Sequence, residues 1–121
     1  MTKQQPFILF VEDDAQLRSI VTLNLRAAGY MVFEAGSFRE AMDRMAIKPN
    51  LIVLDITLPD ATGWDVANWL EQMTSPVPVI VTSGLPPDAK NMEHFRPKAY
   101  LAKPFAIDEL LDLVQQYAPV A

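Results

Sequence analysis

The chain has 121 residues, of which half are hydrophobic, and its ten Lys and Arg against fifteen Asp and Glu leave a formal charge of −5. This length and hydrophobic share suit one domain with a core, and the acidic balance argues against a nucleic-acid-binding surface. The absence of cysteine excludes disulfides and cysteine-ligated zinc, and no apolar run approaches the roughly 18–20 residues of a membrane span. We therefore expect a cytoplasmic domain that contacts neither a membrane nor nucleic acid.

The first unit begins with an unbroken apolar run over residues 7–11, which leads into Glu12, Asp13 and Asp14. Such a run is typical of a strand buried on both faces of a parallel sheet. Helical spacing follows, with Asp14 placed to cap the helix and Gly29 placed to end it. The predicted apolar face of this helix consists of Leu17, Ile20, Val21, Leu25 and Ala28.

The next two units repeat this alternation. Residues 30–35 predict a short strand, and the Ser37-x-x-Glu40 pattern predicts a capping box that opens a second helix. Its predicted apolar face consists of Phe38, Ala41, Met42 and Met45. A second buried run, residues 51–54, leads directly into Asp55, and turn-forming residues end the strand there. A helical stripe follows, formed by Val66, Trp69, Leu70 and Met73.

The last two strand–helix units differ in how clearly the sequence predicts their helices. Residues 79–81 predict a buried strand that ends in Thr82, Ser83 and Gly84. The segment 85–97 carries three prolines and a weak apolar pattern, which permits only a short or irregular fourth helix, from about residue 87 to residue 95. Residues 99–102 predict the final strand, and Lys103 follows it directly. The final helix has a clear apolar face, formed by Ile107, Leu110, Leu111, Val114 and Tyr117.

Five strand-then-helix units predict a single doubly wound α/β domain with a parallel sheet and right-handed crossovers. The carboxyl ends of its strands share one edge, which collects Glu12, Asp13, Asp55, Ser83 and Lys103. Three carboxylates in one cleft favour a cation, and hard oxygen ligands without Cys or His indicate Mg²⁺. A lysine and a hydroxyl can bind phosphate oxygens, so the edge has the parts for phosphoryl transfer onto Asp55. By contrast, we interpret Asp14 and Asp60 as solvated turn residues or helix caps.

The sequence resembles the receiver domain of two-component response regulators over essentially its whole length. The resemblance is carried by four motifs in order: Val11-Glu12-Asp13-Asp14, Leu54-Asp55 with Leu58-Pro59 and Gly63, Thr82-Ser83-Gly84, and Lys103-Pro104-Phe105. It implies a flavodoxin-like (βα)5 fold with strand order 2-1-3-4-5 and one receiver domain spanning residues 1–121. It also implies a phosphoacceptor signalling module that is not an enzyme in the usual sense, beyond slow self-hydrolysis of its phosphoaspartate.

The resemblance further assigns roles to single residues. Asp55 is the implied phosphoacceptor for a sensor histidine kinase or phosphotransfer protein, and the output partner is unknown. The implied Mg²⁺ ligands are Asp13, Glu12 through water, Asp55 and the backbone carbonyl of Thr57. Lys103 pairs with the phosphoryl group, Pro104 takes a cis bond, and Ser83 and Tyr100 are switch residues. Thr82 and Ser83 are adjacent hydroxyls of which one can face Asp55, and the position of Gly84 favours Ser83.

Two other functions stay open at this point. A pseudo-receiver would bind its partners without phosphorylation, and the weak pattern of residues 85–97 is the feature that favours it. An aspartate-nucleophile phosphatase of the haloacid dehalogenase type needs an Asp-x-Asp motif on its first strand. Here the sequence Asp55-Ile56-Thr57 has threonine in the second position and lies on the third strand, which disfavours that enzyme.

Overall fold

Five parallel strands form a single sheet in the computed structural model of the protein, which describes residues 5–72, 77–84 and 97–120. The strands are β1 (Phe7–Val11), β2 (Met31–Ala35), β3 (Leu51–Asp55), β4 (Val79–Ser83) and β5 (Ala99–Ala102), in the order β2-β1-β3-β4-β5. The described helices, numbered in chain order, are α1 (Ala15–Ala27), α2 (Phe38–Arg44), α3 (Gly63–Glu71) and α4 (Ile107–Tyr117). The predicted flavodoxin-like, doubly wound architecture and its strand order are confirmed.

The sheet has a hydrophobic core on each of its faces. Because side chains alternate along a strand, successive residues of the apolar runs supply opposite faces. One core joins the sheet to α1 and α4, and its strand residues include Ile8, Phe10, Leu51, Val53 and Ile80. The other joins the sheet to α2 and α3, and its strand residues include Leu9, Val11, Ile52 and Leu54. The two apolar runs, in β1 and β3, therefore lie inside the sheet with both faces covered by helices.

Helix α1 begins and ends where its caps predict. Asp14 Oδ1 accepts hydrogen bonds from the amides of Gln16 (3.0 Å) and Leu17 (3.2 Å), which confirms Asp14 as the N-cap. Gly29 has a φ of 103°, a conformation that favours glycine just past a helix end. The predicted apolar face was wrong at Ile20, which is 53% exposed, and at Ala28, which is also exposed. The buried residues of this helix are Val21, Thr22 and Leu25, and Leu17 packs against the same core, so the buried face includes a polar residue that the apolar pattern did not indicate.

Helix α2 is short and partly capped as predicted. Ser37 Oγ accepts a hydrogen bond from the Glu40 amide at 3.1 Å, but the Glu40 carboxylate accepts from Gly36 rather than from Ser37. A 3₁₀ turn, Met45–Ile47, follows the helix. Met42 is 39% exposed and was wrongly predicted to lie in the core, because the seven-residue helix buries only Ala41 fully.

Some of the predicted features lie outside the described residues. They are the short fourth helix expected between residues 87 and 95, Met73, and the side chain of Leu70. Along the described part of the chain, no helix has the length and apolar content that crossing a membrane requires.

Candidate functional site

Three carboxylates meet at the carboxyl edge of the sheet. β1 and β3 are neighbours with Val11 opposite Leu54, so the acids that follow β1 lie beside Asp55 at the end of β3. Carboxylate oxygens of Glu12, Asp13 and Asp55 all lie within 4.8 Å of one another. Glu12 and Asp55 are 1% and 3% exposed, whereas Asp13 faces solvent. At this edge, two buried carboxylates and one solvent-exposed carboxylate therefore lie close enough together to share one cation.

Lys103 reaches this cluster from the far side of β4. It follows β5 directly, and its amide donates to the carbonyl of Ser83 at 2.8 Å. Its Nζ lies 3.1 Å from Asp55 Oδ2 and also forms an ion pair with Glu12 Oε1. The Lys103–Pro104 peptide bond is cis, as the family resemblance implied. One ammonium group is therefore shared by two buried carboxylates.

The charges at this edge are not balanced. Burial raises the pKa of Glu12 from 4.5 to about 7, although hydrogen bonds from Lys103 and from the Asp14 amide act in the opposite direction. Repulsion from Asp55 adds to the rise in that pKa. For Lys103, burial acts to lower the pKa, but the carboxylates of Glu12 and Asp55 outweigh it and hold that pKa above its ordinary value. The cluster therefore has an excess of negative charge that a second cation would relieve.

The donor set fits a magnesium ion. Carboxylate oxygens are the ligands that this hard cation prefers, and Mg²⁺ usually takes one or two carboxylates while keeping several waters. Convergence of three carboxylates within 4.8 Å, one of them open to solvent, provides both the oxygens and the room for bound water. The acidic cluster of Glu12, Asp13 and Asp55 is thus suited to Mg²⁺.

The remaining predicted residues lie around the cluster. The Thr57 amide donates to Asp55 Oδ1 at 3.0 Å, and a bridge between Thr57 and Thr62 closes the loop that follows β3. Ser83 is fully buried at the end of β4, next to the strand that leads to Lys103. Tyr100 is partly buried on β5 and pairs with Val81 of β4. Thr57 and Ser83 are thus near the cluster through backbone geometry, and the roles assigned to them and to Tyr100 stay predictions.

Two residues near the site have contacts that the sequence did not reveal. Arg18, on α1, donates from Nη1 to the carbonyl oxygen of Glu12 at 2.7 Å. Asp60 accepts hydrogen bonds from the amides of Phe38 (2.7 Å) and Arg39 (3.2 Å), and these bonds lower the pKa of its carboxyl group. Asp60 is therefore a helix cap, as interpreted, but it caps α2 rather than a helix adjacent in sequence. Neither contact has a local sequence signal, because each joins segments that meet only in the fold.

Comparison with known proteins defines the family. The model of the response regulator receiver domain matches residues 8–115. With this fold and this acidic edge, the chain belongs to the response regulator receiver domain family. Receiver domains are signalling modules of two-component systems and are generally not enzymes; phosphorylation and Mg²⁺ are typical of them.

The chain is similar to curated regulators and to solved receiver structures. It is 38% identical over 106 residues to the KDP operon transcriptional regulatory protein KdpE of Escherichia coli, covering 85% of this chain and 47% of that protein. It is 34% identical over 116 residues to the DNA-binding dual master transcriptional regulator RpaA of Synechocystis, covering 91% and 48%. A signal receiver domain from Vibrio parahaemolyticus superposes with a TM-score of 0.88 at 30% identity, covering 95% of this chain and 91% of that one. The chain spans about half the length of these curated relatives.

Proposed function

We propose that the chain is a phosphoacceptor module in which Asp55 accepts a phosphoryl group from the phosphohistidine of a sensor histidine kinase or phosphotransfer protein. In this step a carboxylate oxygen of Asp55 forms a bond to phosphorus while the phosphorus–nitrogen bond of the phosphohistidine breaks, and its electron pair stays on the imidazole. The observation that carries the proposal is the position of Asp55, a buried carboxylate with one oxygen 3.1 Å from the Lys103 ammonium and two more acids beside it.

The residues around Asp55 would bind the metal ion and hold the phosphoryl group in position. Glu12, Asp13, Asp55 and the carbonyl of Thr57 would hold Mg²⁺, which when bound would neutralise part of the negative charge on the phosphoryl oxygens. Lys103, which now pairs with the acceptor carboxylate, would exchange that contact for one with a phosphoryl oxygen. The site needs little covalent chemistry of its own beyond this positioning, consistent with a module rather than a turnover enzyme.

The signal would leave the site through a change of packing. A doubly charged acyl phosphate would draw the hydroxyl of Ser83 and the ammonium of Lys103 towards it, and Tyr100, on the strand that leads to Lys103, would follow. The regulators that the chain resembles are named as transcriptional regulators, so an output module that responds to phosphorylation is the expected partner. We place the single receiver domain over residues 1–121 and assign it no nucleic-acid contact of its own.

The test is phosphorylation with a small donor. The chain is incubated with acetyl phosphate and Mg²⁺ and then analysed by intact mass, with Asp55→Asn as the matched variant. We expect the mass of one phosphoryl group to appear on the wild type only, and to be lost when Mg²⁺ is chelated beforehand. No adduct on the wild type, or an adduct that persists in Asp55→Asn, would refute the proposal. Binding to an identified partner that beryllofluoride leaves unchanged would instead support the pseudo-receiver.

A further inference from the structure

We propose that Arg18 is a positioning residue for the acidic edge, because its guanidinium holds the main chain that carries Glu12 and Asp13. This inference rests on the proposed function, since it assumes that the edge binds Mg²⁺. Arg18 lies on α1, partly exposed, and its side chain points back towards the end of β1. It has no direct contact with the carboxylates of the cluster among the described hydrogen bonds and ion pairs, so any effect on them must pass through the backbone.

The guanidinium joins two strands at their carboxyl ends. Arg18 Nη1 donates to the carbonyl oxygen of Glu12 at 2.7 Å, and Nε lies 3.4 Å from Glu34 Oε1 on β2. A charged donor makes a stronger hydrogen bond to a carbonyl than a neutral one does, and the planar fork allows both contacts at once. Arg18 therefore ties the first residue after β1 to the neighbouring edge strand.

The carbonyl that Arg18 holds is a sensitive point of the site. It belongs to the planar peptide unit between Glu12 and Asp13, so its direction sets where the backbone of Asp13 begins. The other polar groups of Glu12 already have partners: its amide donates to the Ala35 carbonyl at 2.9 Å, and its carboxylate contacts Lys103 and the Asp14 amide. Arg18 adds a constraint on the carbonyl oxygen of Glu12. We expect that without this bond the peptide unit between Glu12 and Asp13 is held less firmly, so that the carboxylates of these two residues are less well oriented towards a shared cation.

Gly36 leaves room for this contact. A Cβ atom built at Gly36 would lie 2.9 Å from Arg18 Nη1, closer than Cβ atoms approach other heavy atoms. The guanidinium thus passes directly over the backbone of Gly36, just beyond β2. The substitution Gly36→Ala should push the guanidinium away from the Glu12 carbonyl while leaving every charge in place. It gives a second way to break the same contact.

Arg26 provides a matched control on the same helix. Its Nη2 donates to the carbonyl of Val32 on β2 at 3.0 Å, so it also joins α1 to the edge strand through one arginine–carbonyl hydrogen bond. It contacts β2 near its amino end, away from the acidic edge. Arg18→Gln and Arg26→Gln each remove one positive charge and one arginine–carbonyl hydrogen bond, and only the bond of Arg18 reaches the site. Arg18→Gln also removes the ion pair with Glu34.

The experiment measures the dissociation constant of Mg²⁺ by calorimetry at constant ionic strength, on the whole chain, for the wild type, Arg18→Gln, Arg18→Lys, Gly36→Ala and Arg26→Gln. Folding of each variant is checked by circular dichroism. Loss of a nearby positive charge alone would tighten Mg²⁺ binding, whereas loss of positioning weakens it, so the two explanations predict opposite signs. We expect Arg18→Gln to weaken binding about tenfold, the scale typical of residues that orient metal ligands. Gly36→Ala and Arg18→Lys should weaken it less, and Arg26→Gln should not weaken it.

The outcomes separate this inference from the proposed function. A wild type that binds no Mg²⁺ would overturn both. A wild type that binds, with Arg18→Gln and Gly36→Ala binding as tightly or more tightly, would overturn only the role of Arg18. If Arg18→Gln does not fold, Gly36→Ala decides the question, because it retains the arginine and its charge. Equal weakening by Arg18→Gln and Arg26→Gln would also overturn the inference, since it would reflect a general loss of stability.

Discussion

Glu12 allows a quantitative test of the charge balance at the acidic edge. Its carboxyl group is buried, and its pKa is raised from 4.5 to about 7 in the folded chain. A folded-state pKa above the unfolded one means that the native state holds the proton longer. The contribution of this group to stability is complete below pH 4.5 and is lost as the pH rises through about 7. The substitution Glu12→Gln keeps the shape of the side chain and removes this loss.

The size of the effect follows from the pKa difference. Each pKa unit corresponds to about 1.4 kcal/mol, so the rise from 4.5 to about 7 corresponds to about 3 kcal/mol over the whole titration. At pH 5 part of the Glu12 carboxyl groups of the unfolded chain is already ionised. The stability change between pH 5 and pH 8 is therefore smaller than the full value, about 2.5 kcal/mol. We therefore expect the free energy of unfolding of Glu12→Gln, measured relative to the wild type, to be larger by about 2.5 kcal/mol at pH 8 than at pH 5, so that the variant gains relative stability as the pH rises.

The assay is urea unfolding at pH 5 and pH 8 with excess chelator, so that no divalent cation compensates the acids. Asp43→Asn is the control, because it removes one negative charge from the exposed surface of α2, away from the edge. Its stability relative to the wild type should change little between the two pH values. If the advantage of Glu12→Gln is the same at pH 5 and pH 8, or if the control shows an equal change, burial of Glu12 is not the cause and the reasoning is wrong.

Three further predictions concern the contacts that organise the edge. Lys103→Gln leaves Glu12 and Asp55 without their shared ammonium and should lower the free energy of unfolding by about 2 kcal/mol in chelator and by less in Mg²⁺; an unchanged urea midpoint would contradict it. Asp14→Ala removes the cap of α1 and should cost about 1 kcal/mol with or without Mg²⁺; a loss that appears only with Mg²⁺ would indicate a ligand instead. Asp60→Ala should lower the melting temperature at neutral pH, because the amides of Phe38 and Arg39 at the start of α2 lose their acceptor, and Asp60→Asn should lower it less. Equal melting temperatures of the wild type and both variants would exclude this role.

The strands were predictable because their signal is local. A strand covered on both faces needs apolar residues at every position, so residues 7–11 and 51–54 stand out without knowledge of what covers them. The bounds of β1 in the structure coincide with the run 7–11, and those of β5 coincide with the predicted strand 99–102. The end of each strand also places the following polar residue at a known edge, which is why Glu12, Asp55 and Lys103 were expected to meet.

The buried faces of the helices were less predictable. Ile20 and Met42 have the spacing of core residues but are 53% and 39% exposed. Periodicity indicates which residues share a side of a helix, but the width of the buried stripe depends on the neighbouring elements. For α1 that stripe consists of Val21, Thr22 and Leu25, with Leu17 partly buried beside them. Nothing local to α1 reports how closely the sheet and α4 approach it.

The sequence by itself determined the alternation of strands and helices, the two buried central strands, and the acid or lysine that follows each of three strands. The tertiary structure decided how those groups share their charges. The Lys103 ammonium contacts the carboxylate of Asp55, 48 residues away in the chain. The Glu12 carboxyl group is buried enough to raise its pKa to about 7, and Arg18 donates a hydrogen bond to the Glu12 carbonyl. The reason is that an apolar run specifies its own burial through the hydrophobic effect, whereas the pKa of a carboxyl group and the partner of an arginine depend on groups that only the folded sheet brings within a few ångströms.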